Sequence, residues 1–280
     1  MIVIVTGGSS GIGLATVRRL AQSGHQVFAA SRNPDRPGLP EGVTPVVLDV
    51  SSAESCRKAV EQVVADAGGL DVLVNNAGTG AIGPIEETSD EVAANNFEVN
   101  LFGPMRLARM VIPVMRSRGG GRIVNVSSMN DVMAAPFGGW YSASKAALTA
   151  ASLVLGSEVR AFNIFVTVIS PGLFRTKMAS ELGTREVDPA SNYAAALRGM
   201  TLQDKDRLEK AGDPDEVAVA IEQALASPEP PARVVVGRDA QSFEKLVRDS
   251  TPDQFAQMLG DYVDQLIAAG RAEPSDPAPG

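Results

Sequence analysis

The chain is short of the residues that carry several common chemistries. Among its 280 residues there is one cysteine, Cys56, and one histidine, His25. A lone cysteine excludes an internal disulfide and points to a reducing compartment. Placed in a helical stretch, Cys56 reads as core filler rather than as a nucleophile. A lone histidine excludes multi-histidine metal sites and weakens any Ser-His-Asp scheme, so no metal is expected. His25 precedes an apolar run and reads as a loop or strand-edge residue. Positive charge is also scarce: 25 Lys and Arg stand against 33 Asp and Glu, a formal charge of −8. That balance argues against a nucleic-acid partner or an anionic membrane, both of which need clustered cations. No stretch reaches the ~18 to 20 apolar residues of a membrane span. Met1 to Val5 opens on an apolar run with no charged leader, and a cytoplasmic protein is expected.

What is present is an ordinary apolar fraction of 44 %, enough for a sizeable core, arranged in alternating patterns. Apolar runs at 2–6, 27–30, 46–49, 71–75, 123–127, 164–169 and 233–236 read as strands. Helical spacing follows at 14–20, 52–67, 89–118, 139–161 and 213–226, and residues 32–45, with four prolines, read as loop. Continuous apolar strands separated by helices predict an α/β fold, a Rossmann-type doubly wound parallel sheet with helices on both faces. One domain is expected over 1–269. Residues 173–212 are polar and Met-containing, and are expected to form a substrate lid. Residues 270–280, rich in Pro, Ala and acid, are expected to be a disordered tail.

In such a sheet the chemistry sits at the carboxyl ends of the strands. After the first strand comes Thr6-Gly7-Gly8-Ser9-Ser10-Gly11-Ile12-Gly13. Glycines allow a tight turn and close backbone approach to a pyrophosphate, and the following helix N-terminus offers unpaired N–H groups. Gly7, Ser9, Ser10, Gly11, Ile12 and Gly13 are therefore candidate cofactor contacts. Alone, this turn is weak evidence.

The turn, then Asp49, Asn75-Asn76-Ala77-Gly78, Asn100, Ser128, Tyr141-x-x-x-Lys145 and Pro171-Gly172, taken in this order, resemble the short-chain dehydrogenase/reductase pattern. The resemblance covers residues 2–176 and resumes at 233–237. It implies strand order 3-2-1-4-5-6-7 and a nicotinamide cofactor, with Asp49 and Val50 at the adenine, Asn76, Ala77 and Gly78 along the cofactor, and Pro171, Gly172 and Thr176 facing the nicotinamide carboxamide. It also implies that Asn100 kinks its helix and holds a proton-relay water, and that the protein is a homodimer or homotetramer through its long helices. The C-terminal helices, 242–269, are an alternative cover for that surface. An acid ending the second strand would hold the ribose hydroxyls of NAD. Here Ser31 and Arg32 stand there, a small neutral residue and a guanidinium suited to a 2′-phosphate, so NADP(H) is preferred over NAD(H). Asp35, slightly downstream, is a complication.

Tyr141 and Lys145, four apart in a helical segment, project from one face. A free phenol titrates near ~10; a nearby ammonium favours the phenolate and suits Tyr141 to acid/base work. Lys145 would also hold the nicotinamide ribose. Ser128, thirteen residues before Tyr141, matches the family spacing and would polarise a carbonyl, while its neighbour Ser127 faces the other way. Met129-Asn130-Asp131 depart from the small apolar residues usual there and are expected to rim the substrate pocket. The implied activity interconverts a carbonyl and a secondary alcohol, as a carbonyl reductase or alcohol dehydrogenase. Similarity to hydroxysteroid and retinol dehydrogenases suggests a bulky apolar small-molecule substrate. The alternatives are an epimerase or dehydratase with a transient hydride step, or a non-catalytic NADP-binding regulator.

Overall fold

The computed structural model describes residues 1–34, 38–184 and 186–272. Within them, β1 (Ile2–Thr6), β2 (Gln26–Ser31), β3 (Thr44–Val47), β4 (Val72–Asn75), β5 (Gly121–Val126), β6 (Ile164–Pro171) and β7 (Arg233–Val236) form a parallel sheet in the order β3-β2-β1-β4-β5-β6-β7. Fold class and strand order are those expected. Helices α1 (Gly11–Gln22), α2 (Ala53–Ala67), α3 (Asp90–Phe97), α4 (Gly103–Ser117), α5 (Gly139–Val159), α6 (Lys177–Ser180), α7 (Ala194–Glu209), α8 (Pro214–Ala226), α9 (Arg238–Asp249) and α10 (Pro252–Ala272) complete the chain. None is long and apolar enough to cross a membrane.

Strand alternation builds two cores. Val3 and Val5 pack with Val17 and Leu20 of α1 and Val217 and Ile221 of α8. Ile4 points the other way, joining Phe28, Val60 and Val63 of α2, and Leu107 and Val111 of α4. Each such side chain contributes about 1.5–3 kcal/mol relative to exposure, so the sheet needs both helical layers. Start signals operate as the sequence suggests: Ser52 accepts from the Ser55 N–H, and Asp213 with Glu216 forms a reciprocal capping box on α8.

Two elements depart from expectation. β3 starts inside the proline-rich stretch and ends at Val47, leaving Asp49 in the following loop. Pro45 is tolerated because β3 is the sheet edge, where a missing N–H removes no bond to a further strand. The helical region expected over 89–118 is α3 and α4 joined by a π-helical turn, Glu98–Phe102, centred on Asn100, where the resemblance implied a kink. Finally, α10 continues through Ala272, past the expected start of the tail at Gly270; residues 273–280 lie outside those described. α10 covers α7 rather than the long helices α4 and α5. The two meet backbone to backbone, since a Cβ on Gly199 would strike the Leu266 carbonyl and one on Gly270 the Ala195 carbonyl.

Candidate active site

A crevice of about 840 Å³ lies over the carboxyl ends of the central strands. At one end is the glycine turn. Gly7 has φ of +65°, and a Cβ there would sit 2.8 Å from Asn76 Nδ2. Asn76 braces the turn: its amide donates to the Thr6 carbonyl at 2.9 Å, while Thr6 Oγ1 accepts from the N–H groups of Asn76 (3.0 Å) and Ala77 (2.9 Å). Gly7, Ser9, Ser10, Gly11 and Ile12 line the crevice, and Ser10 precedes α1 without a side-chain cap. The first amides of α1 are thus left without a side-chain acceptor, which suits an anion. Gly13, expected as a contact, does not line the crevice. A Cβ there would run into the Gly7 carbonyl, so its smallness seats α1 against the turn.

Beside the turn, Ser31 and Arg32 also line the crevice. Ser31 Oγ is buried with no hydrogen-bond partner, and the exposed Arg32 makes no hydrogen bond or ion pair among the described residues. A buried hydroxyl without a partner is uncommon and fits an absent polar ligand. Asp49 and Val50 line the same wall. Hydrogen bonds from Ser51 hold the Asp49 carboxyl below its usual range, and the Arg32 charge acts in the same direction. Asp35 lies outside the described residues.

Farther along, Asn76, Ala77, Gly78, Ser128, Tyr141, Lys145, Pro171, Gly172 and Thr176 line one continuous space. Lys145 Nζ donates to the Val126 carbonyl at 2.9 Å and lies 5.8 Å from the Tyr141 ring centroid. Ser127 also borders this space, but its hydroxyl is engaged with α5, donating to the Lys145 carbonyl at 3.1 Å. Burial raises the Tyr141 phenol, with a hydrogen bond from Ser128 acting the other way, and burial lowers Lys145 to about 8. Desolvation dominates both groups by favouring their neutral forms.

Asn100 sits at the π-helical turn, where the resemblance implied a kink. Its side chain does not line the crevice: Oδ1 accepts from the Thr79 N–H at 2.9 Å, and Nδ2 lies within hydrogen-bonding reach of the Thr79 carbonyl (2.9 Å) and Ser144 Oγ (3.0 Å). Those bonds tie the π-helical turn to the loop after β4 and to α5. One correction concerns the segment after Ser128. Met129 and Asn130 do reach the crevice, but Asp131 points inward, its side chain fully buried.

The family model described as short chain dehydrogenase matches residues 1–187. The chain belongs to the short-chain dehydrogenase family. This short-chain dehydrogenase is an oxidoreductase, and its family uses a nicotinamide cofactor. It is 36 % identical over 265 residues to a 3-ketodihydrosphingosine reductase of Bacteroides thetaiotaomicron, covering 91 % of this chain and 95 % of that protein. It is 33 % identical over 252 residues to retinol dehydrogenase 8 of Bos taurus, covering 82 % of this chain and 80 % of that protein. Among solved structures, a short-chain dehydrogenase from Streptomyces avermitilis superposes with a TM-score of 0.76 at 31 % identity, covering 94 % of this chain and 95 % of the other. One from Burkholderia cenocepacia, solved in complex with NADP, gives 0.74 at 26 % identity over 92 % of this chain and 96 % of the other.

The dehydrogenase's crevice also contains residues that sequence reasoning did not single out. Met200, Asp204 and Arg207 of α7 reach it from the 173–212 segment. Their spacing of four and three places them on one helix face, a signal present in the sequence but meaningless until α7 is known to lie over the strand ends.

Proposed function

We propose that this short-chain dehydrogenase uses NADPH in preference to NADH to reduce the ketone of a bulky apolar substrate, or oxidises the corresponding secondary alcohol. The observation that carries this reading is that Ser128, Tyr141 and Lys145 border the same crevice as the glycine turn. In it, Gly7 and Ser9 to Ile12 hold the pyrophosphate, with Gly13 seating the helix behind them. Ser31 and Arg32 receive the 2′-phosphate, and Asp49 and Val50 border the adenine. Asn76, Ala77, Gly78, Pro171, Gly172 and Thr176 flank the nicotinamide half. The bound nicotinamide supplies or accepts the hydride.

Tyr141 Oη donates its proton to the substrate oxygen in reduction and takes it back in oxidation. Its burial-raised pKa keeps the phenol protonated near neutral pH, which suits the reductive direction. Ser128 Oγ hydrogen-bonds the same oxygen as charge develops on it. Lys145 Nζ holds the cofactor ribose, and Asn100 acts by fixing the loop around Thr79 rather than by touching the reactants. Met129, Met133, Met178, Leu182 and Met200 offer an apolar wall for the substrate, with 173–212 as its lid. The names of two relatives, 3-ketodihydrosphingosine reductase and retinol dehydrogenase 8, support a carbonyl or alcohol on a large carbon skeleton. A homodimer or homotetramer is part of the proposal, supported by the exposed Leu153 and Val154 on α5.

The test follows nicotinamide absorbance with NADPH or NADH against 3-ketodihydrosphingosine, retinal and short ketones. Faster loss of NADPH with the bulky carbonyls is expected. Substrate conversion without net cofactor change, or cofactor binding without turnover on any carbonyl, would contradict the reading.

A further inference from the structure

Behind Tyr141 and Lys145 lies a polar cluster that takes no direct part in proton or hydride transfer. Asp131 ends the short 3-10 turn Met129–Asp131 that follows Ser128, and its N–H donates to the Ser128 carbonyl at 2.9 Å. Its carboxylate accepts from Thr149 Oγ1 at 2.8 Å, from Ser170 Oγ at 2.6 Å and from an Arg233 terminal nitrogen at 2.9 Å. Thr149 stands one turn beyond Lys145 on α5, with its hydroxyl 3.0 Å from Ser127 Oγ, which donates to the Lys145 carbonyl. Arg233, from β7, continues into a close ion pair with Glu244 of α9.

A buried ion pair is weak evidence of a purely stabilising role, because desolvation offsets much of its attraction. Apolar side chains would fill this space as well. Only a charged, hydrogen-bonded group both fastens the Ser128 turn to α5, β6 and β7 and sets a field at the reacting groups. The carboxylate acts on both Tyr141 and Lys145, favouring the protonated form of each.

We propose that Asp131 is a positioning residue for the reaction, clamping the Ser128 turn to α5 and supplying a buried negative charge behind Tyr141 and Lys145, with Arg233 and Glu244 moderating that charge from β7 and α9. This rests on the reading of Tyr141 as acid/base. The other charged groups facing the crevice are Arg32 and Asp49 at its cofactor end, Asp204 and Arg207 on α7, Lys177 on α6 and Glu181 just beyond it; Ser170 of β6 contributes a hydroxyl to the cluster. Among the described residues, Asp131 joins the Ser128 turn, α5, β6 and β7 through side-chain bonds.

The test titrates Lys145 by NMR of lysine labelled at Cε, assigning its signal with Lys145→Met. Wild type should titrate at about 8. In Asp131→Asn the midpoint should fall, and in Arg233→Gln it should rise. The double variant should return toward wild type, because the negative and the positive charge removed offset each other. The limb of the pH–rate profile set by the phenol should move in the same directions. In Asp131→Asn, kcat should fall on the order of 10- to 100-fold with NADPH affinity nearly unchanged. A purely structural role would lower stability without moving midpoints in opposite directions. An unmoved Lys145 midpoint in an Asp131→Asn protein that still binds NADPH overturns the proposal. Should Asp131→Asn not fold, Arg233→Gln decides, with an unmoved or lowered midpoint overturning it and Arg233→Lys expected to restore the wild-type value. Tyr141→Phe separates the two failures: retained turnover there removes the acid/base reading itself, whereas lost turnover with unmoved midpoints removes only the role of Asp131.

Discussion

Lys145 is an ammonium held almost out of water, 5 % exposed, with its pKa lowered from 10.5 to about 8 by burial. The folded protein therefore binds fewer protons than the unfolded chain between those values. Stability should rise with pH across that window, by roughly 3 kcal/mol at most for this one group. Denaturant melts between pH 8 and 10.5 should show that rise in wild type and not in Lys145→Met; equal slopes would show the burial to be relieved in solution. Arg32 makes a different kind of claim. Exposed and without a partner among the described residues, it should matter little to folding and much to cofactor choice. Arg32→Glu should weaken NADPH by roughly 10-fold or more through loss of a charge-assisted contact and like-charge repulsion, leaving NADH less affected. An unchanged NADPH preference would remove Arg32 from the phosphate site.

Gly13 and Asn100 show how an element can matter to a site it does not touch. A methyl at position 13 would strike the Gly7 carbonyl, so Gly13→Ala should push α1 away from its turn and abolish cofactor binding while the far sheet stays folded. Cofactor titration followed by fluorescence, with circular dichroism as the control, checks this. Asn100→Ala would leave the Thr79 N–H and carbonyl without their Asn100 partners, at about 1–3 kcal/mol, and should lower kcat more than it raises KM for either ligand. The glycine spacing and the Tyr-x-x-x-Lys pair were legible because each needs only local geometry. The inward turn of Asp131 was not, since its partners come from α5, β6 and β7, and one of them, Arg233, is 102 residues away. Nor was the desolvation of Tyr141 and Lys145 legible, because spacing places two groups on a face without saying how dry that face is.

At the scale of the whole molecule, the alternation of apolar runs was enough to predict a parallel doubly wound sheet, and the strand order implied by the family resemblance is the order found. What could not be anticipated was where α10 goes. Its contact with α7 depends on Gly199 and Gly270, small residues at helix spacing that have no signature until the two helices are seen together. By covering α7, α10 supports the wall that carries Met200, Asp204 and Arg207 to the crevice. The central claim is that this crevice performs nicotinamide-dependent carbonyl chemistry with Tyr141 moving the proton. It is tested most directly by measuring NADPH affinity and ketone turnover side by side in wild type and Tyr141→Phe. The expected result is unchanged affinity with turnover reduced by a factor on the order of 10²–10⁴; undiminished turnover would contradict it.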